Sequence, residues 1–427
     1  MSIINAMYAG VSGLNAEGEA LGVTGDNISN SSTVGFKQSR ALFEEVLGNA
    51  ATQGPGGGVR MARTQQIFAQ GSLQNTGQPT DLALSGDGFF VVRGAVDGGE
   101  GNYFTRAGQF TLQKDGKVVN PQGLVLQGYP AGPGGTFGAS LSDVQLPTAS
   151  LAPKATTTLT VTANLDASTV PMAAAWDPQN PSATSNFSTS MKVYDSLGNA
   201  HAVDVYFRKG SAGAWEYHAL GAGADIQGGT AGQNSEIAAS NLSFTTTGAL
   251  QDVTTTAGGT VTFNGANTAQ PIAFSFGTTI ASGGTGADGI TQYGSASSVS
   301  AQSQDGYGAG ELSGVKIDAD GTVNGVYSNG QKVGVAQIGV AKFRANDGLS
   351  RAGHNLWAQT RDSGDPAIGS AGAGGRGAIT AGALEQSNVD IATQFVDLIA
   401  HQRAFQANSK TISAAQEMLQ QLININQ

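Results

Sequence analysis

The first thirty residues place apolar side chains at alternating spacings of three and four, which is the pattern of a helix that packs along one seam. The seam positions are Ile4, Met7, Val11, Leu14, Gly18, Leu21, Gly25 and Ile28. Each glycine in this stretch costs about 1 kcal/mol relative to alanine inside a helix. The pattern therefore predicts an N-terminal helix that is weak alone and that lets neighbouring backbones approach closely.

A second heptad pattern occupies the last forty residues of the chain. Its apolar column repeats every seven residues, at Leu384, Ile391, Leu398, Phe405, Ile412 and Leu419. The companion column starts with three polar residues that we expect to face water or a hydrated partner, namely Gln394, His401 and Asn408. Ser387 can cap a helix with Asp390 three residues later, and 388–423 lacks Gly and Pro, so one long helix is predicted.

Between the two helical ends the pattern is typical of β structure. Short apolar runs alternate with turn signals over 81–129, and the same style returns over 309–343. Asp320-Gly321 and Asn329-Gly330 are strong hairpin signals. The stretch 147–300 is richer in Thr, Ala, Gly and Ser, with strand-like islands, which indicates a separate inserted domain.

These patterns predict a mixed, mainly β chain with a nested plan. The N- and C-terminal α-helices are expected to pair as an axial coiled-coil domain, followed outward by two β domains. The expected parts are an axial helical domain of 1–30 and 384–427, flexible linkers at 31–70 and 363–383, an inner β domain of 71–146 and 301–362, and an inserted outer β domain of 147–300. Because nesting brings the chain ends together, the two heptads can pack side by side.

The composition favours an extracellular protein or a polymer subunit over a cytosolic enzyme. Charged residues make up 12% of the chain, about half the usual share, while its 63 glycines are about twice the usual share. The net charge of −10 argues against nucleic acid as a partner. We expect no membrane insertion, because no apolar run reaches about 18 residues. The N-terminus also lacks the pattern of a cleavable signal peptide.

No residue pattern points to catalysis, a cofactor or a metal ion. The chain has no cysteine, and its four histidines lie in different segments without metal-ligand spacing. Asp318–Gly321 lacks the further ligands of a calcium loop, so we interpret it as a hairpin turn. Gly372–Gly377 has the letters of a dinucleotide motif without the strand and helix that such a site needs. We therefore expect no enzyme.

The stretch Asn27–Gln38, "NISNSSTVGFKQ", follows directly on the first helical pattern. Its Asn and Ser side chains compete for backbone hydrogen bonds and end helices, and a glycine permits unusual dihedral angles. A buried phenylalanine ring can then anchor the departing chain. We expect this helix-to-arm junction to depend on Asn27, Asn30, Thr33, Gly35, Phe36 and Lys37.

At both ends the chain resembles the bacterial flagellar rod and hook proteins. Residues 12–38 are similar to the N-terminal signature of that family, with Asp26 in place of its usual first Asn. Residues 382–423, which include "LEQSNVD" and "QRAFQANSK", resemble the matching tail. "FTRAGQFTL", "NPQGLVLQGY", "YDSLGNAH" and "QDGYGAGELSG" are similar to hook members, and the length and inserted domain favour the hook over the rod.

The resemblance implies a structural subunit that self-assembles into a curved helical tube, the flagellar hook. That tube links rod to filament and transmits motor torque as a universal joint. The implied partners are further copies of the chain, the rod, the hook–filament junction and hook cap proteins, and the flagellar export apparatus. The implied location is the hook, on the extracellular side of the basal body, after export without a cleavable signal peptide.

We assign the permanent assembly contacts to the two terminal helices, because apolar burial is cumulative along them. The residues expected to carry these contacts are Ile4, Met7, Val11, Leu14, Leu21, Ile28, Ile391, Leu398, Phe405, Ile412 and Leu419. Two alternatives stay open at this point. One is the distal rod or another axial protein of the same family, and the other is a secreted β-rich adhesin.

Overall fold

The structure is a computed structural model of the 427-residue chain, described here for residues 3–47, 57–132, 135–210, 214–266 and 269–425. Two long helices mark its ends, α1 (Ile3–Ser29) and the C-terminal α3 (Ile391–Ile425), and between them lie the short helix α2 (Pro181–Thr184) and a 3₁₀-helix (Asn346–Gly348). The prediction of a mainly β chain with a helix at each end is confirmed. The glycine-rich centre of the first predicted linker, residues 54–56, lies outside the described residues.

The strands are, in chain order, β1 (Ser39–Glu45), β2 (Val59–Gln66), β3 (Leu73–Asn75), β4 (Leu82–Ser85), β5 (Phe89–Val96), β6 (Gly99–Thr105), β7 (Thr111–Leu112), β8 (Val118–Val119), β9 (Val125–Pro130), β10 (Ser142–Asp143), β11 (Thr158–Asn164), β12 (Phe187–Tyr194), β13 (Ala200–Lys209), β14 (Ala214–Ala222), β15 (Asn234–Phe244), β16 (Leu250–Gly258), β17 (Thr260–Val261), β18 (Gln270–Pro271), β19 (Ala273–Ser275), β20 (Ser298–Gln304), β21 (Leu312–Ile317), β22 (Thr322–Tyr327), β23 (Lys332–Ile338), β24 (Val340–Lys342), β25 (Ser350–Arg351), β26 (Leu356–Ala358), β27 (Ala367–Gly369), β28 (Ala378–Ala381) and β29 (Ala383–Glu385).

The chain forms two compact units. The first consists of Met1–Thr148, Ser313–Val326 and Lys332–Gln427, and the second of Ala149–Leu312 and Tyr327–Gln331. The second unit ends later along the chain than the predicted boundary at residue 300. The reason is that β20 pairs antiparallel with β11, which keeps this strand within the second unit.

The first unit is built on a sheet of antiparallel strand pairs whose main path runs β21-β22-β23-β9-β5-β6-β26-β25. The predicted hairpins are present, since Gly321 and Gly330 adopt positive φ angles of 86° and 79° in the turns after β21 and β22. Its core is aromatic, and the rings of Phe104 and Phe343 meet edge to face at 4.7 Å. Phe89, Val91 and Trp357 belong to the same buried cluster.

The second unit packs two sheets over one core. The strands β12–β16 form a five-stranded antiparallel meander, and β11 lies between β19 and β20 in a smaller sheet. Both sheets contribute to one buried cluster, which includes Leu159, Val161, Val205, Phe207 and Trp215. Alternation of buried and half-exposed side chains along β13 follows the period of two that a half-buried strand requires.

The two segments expected as flexible linkers hold strands instead. Within 31–70, β1 and β2 form an antiparallel hairpin. Within 363–383, β27 pairs with β24, and β28 pairs with β4 of the first unit. The linker prediction is wrong here because it rested on composition, whereas backbone hydrogen bonds order these glycine- and polar-rich segments.

We predict that Phe207→Ala lowers the free energy of unfolding by about 3–5 kcal/mol, because it leaves a cavity beside the rings of Phe187 and Phe276. Leu197→Ala is the matched control, since its side chain is 59% exposed and the substitution should cost less than about 0.5 kcal/mol. Chemical denaturation of both variants measures the difference. Equal effects for the two variants would contradict the assigned core.

Candidate functional site

The helices α1 and α3 pack side by side in opposite directions. Near the start of α3, the Asn27 side-chain amide donates a hydrogen bond of 2.8 Å to Gln394 Oε1. Further along, His401 Nδ1 lies 2.6 Å from Glu17 Oε2. Residue numbers along α1 therefore decrease as those along α3 increase, so the two helices are antiparallel. A nested chain with adjacent ends permits this arrangement.

The buried face of α1 consists of small and polar residues. Its buried positions are Gly10, Gly13, Ala16, Ala20, Thr24 and Asn27. A Cβ atom at Gly13 would lie only 2.6 Å from Asn408 Nδ2, and one at Gly10 would lie 2.9 Å from Ile412 Cγ1. The helices α1 and α3 can therefore approach this closely only because both positions are glycine.

The seam predicted on α1 is wrong as the contact with α3. Ile4 and Val11 are 51% and 41% exposed, and Gly18 is also exposed. The five further members of the predicted seam are only half-buried, namely Met7, Leu14, Leu21, Gly25 and Ile28. The prediction relied on the large apolar side chains of α1, whereas the closest contact with α3 is made by the smallest residues of α1. The part of these residues in assembly stays a prediction.

The seam predicted on α3 is closer to the observed contact. Leu398, Phe405, Ile412 and Leu419 are half-buried, whereas Ile391 at the first turn is 47% exposed. The polar column differs from the expectation that it faces water. Gln394 and His401 make their side-chain bonds to α1, and Asn408 lies against Gly13. Polar side chains thus fix the register of the helix pair.

The start of α3 is capped by a residue other than the expected one. The Thr393 backbone N–H donates to Asp390 Oδ1 at 3.0 Å, which makes Asp390 the N-cap. Ser387 was predicted to fill that position, but its hydroxyl accepts a bond from Val389 N instead. The helix therefore begins at Ile391, three residues later than the predicted 388.

The hairpin formed by β1 and β2 lies along another side of α1. The Asn27 side chain pairs with the Ser39 backbone as a strand would, donating to Ser39 O at 2.7 Å and accepting from Ser39 N at 2.8 Å. Towards the other end of α1, the Ser12 hydroxyl accepts a bond from Val59 N at 3.1 Å. Asn27 thus joins α1, α3 and the hairpin at one point.

The junction motif turns the chain away from α1 through local bonds. Asn30 Nδ2 donates to Asp26 O at 2.9 Å, and the Thr33 hydroxyl donates to Asn30 Oδ1 at 3.1 Å. Gly35 has a φ of +70°, and a Cβ there would lie 2.5 Å from Ala107 N. Only glycine fits both this backbone conformation and this contact.

Phe36 and Lys37 anchor the departing chain in the first unit. The Phe36 ring is buried, and the Arg351 guanidinium carbon lies 5.7 Å from its centroid. Lys37 Nζ is fully buried, 2.5 Å from Glu385 Oε1 and 2.7 Å from Ala69 O. All six predicted junction residues therefore take part in the turn or its anchorage, and their functional role stays a prediction.

Lys37, Glu385 and Arg106 form a buried charge cluster. Glu385 Oε2 accepts from Arg106 Nη1 at 3.1 Å, and Glu385 Oε1 also accepts from Gly71 N. Burial lowers the pKa of the Lys37 ammonium, an effect that Arg106 adds to and that Glu385 opposes. The cluster connects the junction after α1, the segment before α3 and the sheet of the first unit.

Sequence reasoning missed Glu385, Arg106 and Asn388 as anchoring residues. Asn388 Oδ1 accepts from Gln38 N at 2.7 Å, and Asn388 Nδ2 donates to Ile67 O at 2.8 Å. The signal that could have identified them was their place in "FTRAGQFTL" and "LEQSNVD", because charge is scarce in this chain. The pairing itself could not be predicted, since its members lie hundreds of residues apart.

The described residues hold neither a cluster suited to a metal ion nor a helix suited to crossing a membrane. They contain no group of three or more His, Cys, Asp or Glu side chains placed to hold a metal ion. Across the same residues, no helix combines the length and apolar character that crossing a lipid bilayer requires. The contacts between the paired helices and at their anchored junction make these elements the candidate functional site.

We predict that Glu385→Gln destabilises the first unit by about 3–5 kcal/mol, because it leaves two buried cations without their shared carboxylate. Glu44→Gln removes the exposed partner of Arg60 and should cost no more than about 1 kcal/mol. Thermal unfolding of both variants against the unmodified chain provides the measurement. A loss at Glu385 no larger than at Glu44 would refute the anchoring role.

We predict that Gly13→Ala weakens the α1–α3 pair by about 1–3 kcal/mol, since the new methyl group collides with Asn408. Gly18→Ala is its control, because the added carbon meets no other described part of the chain within 4 Å and alanine favours a helix. Hydrogen exchange over α1 should therefore be faster in the first variant and unchanged or slower in the second. Equal exchange in both would argue against close helix contact.

Four known protein families match successive parts of the chain. They are described as "Flagella basal body rod protein" for residues 7–37, "Flagellar hook protein FlgE/F/G D1 domain" for 83–164, "Flagellar basal body protein FlaE D2 domain" for 164–307, and "Flagellar basal body rod FlgEFG protein C-terminal" for 380–425. The first and last of these families cover α1 with its junction and α3 with the segment before it.

Relatives match over nearly the whole length. The flagellar hook protein FlgE of Salmonella typhimurium is 37% identical over 97% of this chain and 98% of its own. The FlgE proteins of Escherichia coli and Treponema pallidum are 35% and 32% identical, over 98% and 99% of this chain and all of their own. The crystal structure of Helicobacter pylori hook protein FlgE2 shares the fold, with a TM-score of 0.50 and 15% identity over 72% of this chain and 98% of that one. The chain therefore belongs to the family of flagellar hook proteins, FlgE.

Proposed function

We propose that this structural subunit of the hook polymerises through its paired terminal helices into a curved helical tube. The observation that carries the proposal is the apolar surface that the helix pair leaves uncovered. Ile4, Tyr8 and Val11 are exposed on α1, and Phe395, Val396 and Ile399 are exposed on α3. Contiguous exposed apolar surface of this kind is typical of a contact with another molecule.

Further copies of the chain are the natural occupants of that surface. A helical tube needs contacts between two different patches of the subunit, so that the assembly grows without closing on itself. The helix pair presents at least two such patches, one on α1 and one on α3. Their combined burial would make the inner contacts of the tube the permanent ones.

We propose that the two β units serve bending and torque rather than cohesion. Contacts through a surface that is poor in charge would be weak and hydrated, so neighbouring copies could slide as the tube bends. The buried cluster of Lys37, Glu385 and Arg106 would transmit force between the helices and the sheet of the first unit. A hook built in this way acts as a universal joint between rod and filament.

The proposed partners beyond the chain itself follow from this position in the flagellum. The rod would hold one end of the tube, the hook–filament junction proteins the other, and the hook cap would guide growth. The flagellar export apparatus would deliver the subunit without a cleavable signal peptide. The absence of cysteine is compatible with export of an unfolded chain.

A second candidate is the distal rod or another axial protein of the flagellum. The families matched by the two terminal segments are described as rod proteins, which favours this alternative to a limited degree. The shape of the purified polymer separates the candidates. A curved, flexible tube supports the hook, and a straight, stiff tube supports the rod.

We predict that deletion of residues 391–427 abolishes polymerisation and leaves a soluble chain with folded β units, because both helix patches depend on the pair. Sedimentation and electron microscopy under precipitating salt, with the full chain as control, measure assembly. Circular dichroism checks that β structure is retained. If the shortened chain still forms tubes, the helices do not carry the permanent contacts.

A further inference from the structure

Two open clefts lie in line between α1 and the β1–β2 hairpin. The first has a volume of about 540 Å³ and is lined by apolar side chains that include Tyr8, Val11 and Val59. The second has a volume of about 560 Å³ and includes Val23 and Leu349. Glu19 and Met61 line both clefts, so the two form one groove, named here the α1 groove.

The α1 groove is long enough to hold several turns of a helix. From Tyr8 to Asp26 it follows α1 for about 27 Å, at 1.5 Å per residue. Gly22 also lines it, and a Cβ there would meet no atom of the described residues beyond its own helix turn within 4 Å. Gly10 and Gly13 are required by their close contact with α3, whereas no such contact among the described residues requires glycine at position 22.

One charged residue in the α1 groove has no partner. Asp26 pairs with Arg351 at 3.2 Å, and Arg60 pairs with Glu44. Asp347 accepts a hydrogen bond from Gln65 at 2.9 Å. Within the part of the chain that the structure describes, Glu19 alone among these carboxylates has no ion pair or hydrogen bond, and it lies where the two clefts meet.

A complementary stripe lies on the part of α3 that stays exposed in the single chain. Ile391, Phe395, Val396 and Ile399 are 47%, 50%, 66% and 48% exposed. One turn further along, Arg403 is exposed and makes no ion pair or hydrogen bond to any described residue. The stripe thus ends in a free cation, whereas the α1 groove contains a free anion.

The spacing of the two sets matches. Arg403 follows Phe395 by eight residues, and Glu19 follows Val11 by the same number. Both intervals correspond to about 12 Å along a helix axis. Apolar contact and a Glu19–Arg403 ion pair can therefore form together, and the pair would be partly shielded from water by the surrounding apolar groups.

We propose that the segment Ile391–Arg403 of a second copy of this chain occupies the α1 groove, with its Arg403 paired to Glu19. The inference rests on the proposed polymerisation and specifies one of its contacts. The contact joins two different patches, α3 of one copy and the α1 groove of the next, as growth of an open helical assembly requires.

Charge reversal tests the ion pair. Glu19→Lys and Arg403→Glu should each raise the critical concentration for polymerisation about three- to fivefold, and the double reversal should return it to within about twofold of the unmodified chain. Both residues are exposed, so circular dichroism should show folded variants. The effects should shrink at high salt, because exposed pairs are screened. A double variant at least as impaired as the worse single variant would overturn the pairing.

Cross-linking tests where the second copy docks. Because the chain has no natural cysteine, each introduced cysteine is the single thiol of its chain. Copies carrying Met61→Cys are co-polymerised with differently tagged copies carrying Ile399→Cys, and a short bismaleimide is added. A product joining the two tags is expected in polymers and absent from monomers. Leu197→Cys replaces Met61→Cys in the control and should give no product with Ile399→Cys, because Leu197 does not line the α1 groove.

The outcomes separate this contact from the proposed function. Polymers that form normally but yield no Met61–Ile399 product overturn the α1 groove as the docking site and leave polymerisation standing. A product between Met61→Cys and Tyr8→Cys of neighbouring copies, in place of the Ile399 product, would assign the groove to α1 of the second copy and also overturn it. Failure of the unmodified chain to polymerise would refute the proposed function itself.

Discussion

Gly13 of α1 and Asn408 of α3 approach so closely that a single methyl group on the glycine would collide with the amide. This contact requires small residues along one face of α1. The larger side chains of α1 therefore lie on its other faces. Ile4 and Val11 consequently remain on the outside, where their side chains are 51% and 41% exposed. The pairing inside one chain therefore determines which surface is left for other chains.

The buried cluster of Lys37, Glu385 and Arg106 holds the helix pair at the end where the chain leaves α1 and leads into α3. A buried ion pair adds little stability by itself, because desolvation offsets much of the attraction. Its contribution lies in geometry, since both Lys37 and Arg106 need the same carboxylate and leave it few alternative positions. The segment that leaves α1 and the segment that leads into α3 are thereby held at one point, which suits a subunit that transmits force.

The sequence allowed prediction of the features that depend on local periodicity and turn chemistry. The seven-residue repeat predicted α3, and the glycines at 321 and 330 predicted two hairpins. The β1–β2 hairpin was missed because its strands, "SRALFEE" and "VRMARTQQ", carry charges on a largely exposed ribbon and show little apolar alternation. The cap at Asp390 was misassigned because Ser387 offered the same chemistry three residues earlier.

The candidate site was harder to predict because it joins residues from distant parts of the chain. Lys37 and Glu385 are 348 positions apart, and nothing in one sequence relates their side chains. The contact face of α1 was misjudged for a different reason. Coiled-coil rules place the largest apolar side chains in the seam between helices. The face of α1 that is buried instead carries small residues, which let the two helix backbones approach closely, namely Gly10, Gly13, Ala16 and Ala20.

The central claim is that the paired terminal helices exist at the heart of the assembled tube, with their outward apolar residues covered by neighbouring copies. A high-resolution electron cryomicroscopy map of the polymer tests it most directly. The account predicts α1 and α3 in the innermost layer, antiparallel and in contact at Gly13 and Asn408, with both helices touching other copies. A map that places residues 4–28 on the outer rim, away from residues 391–419, would contradict it.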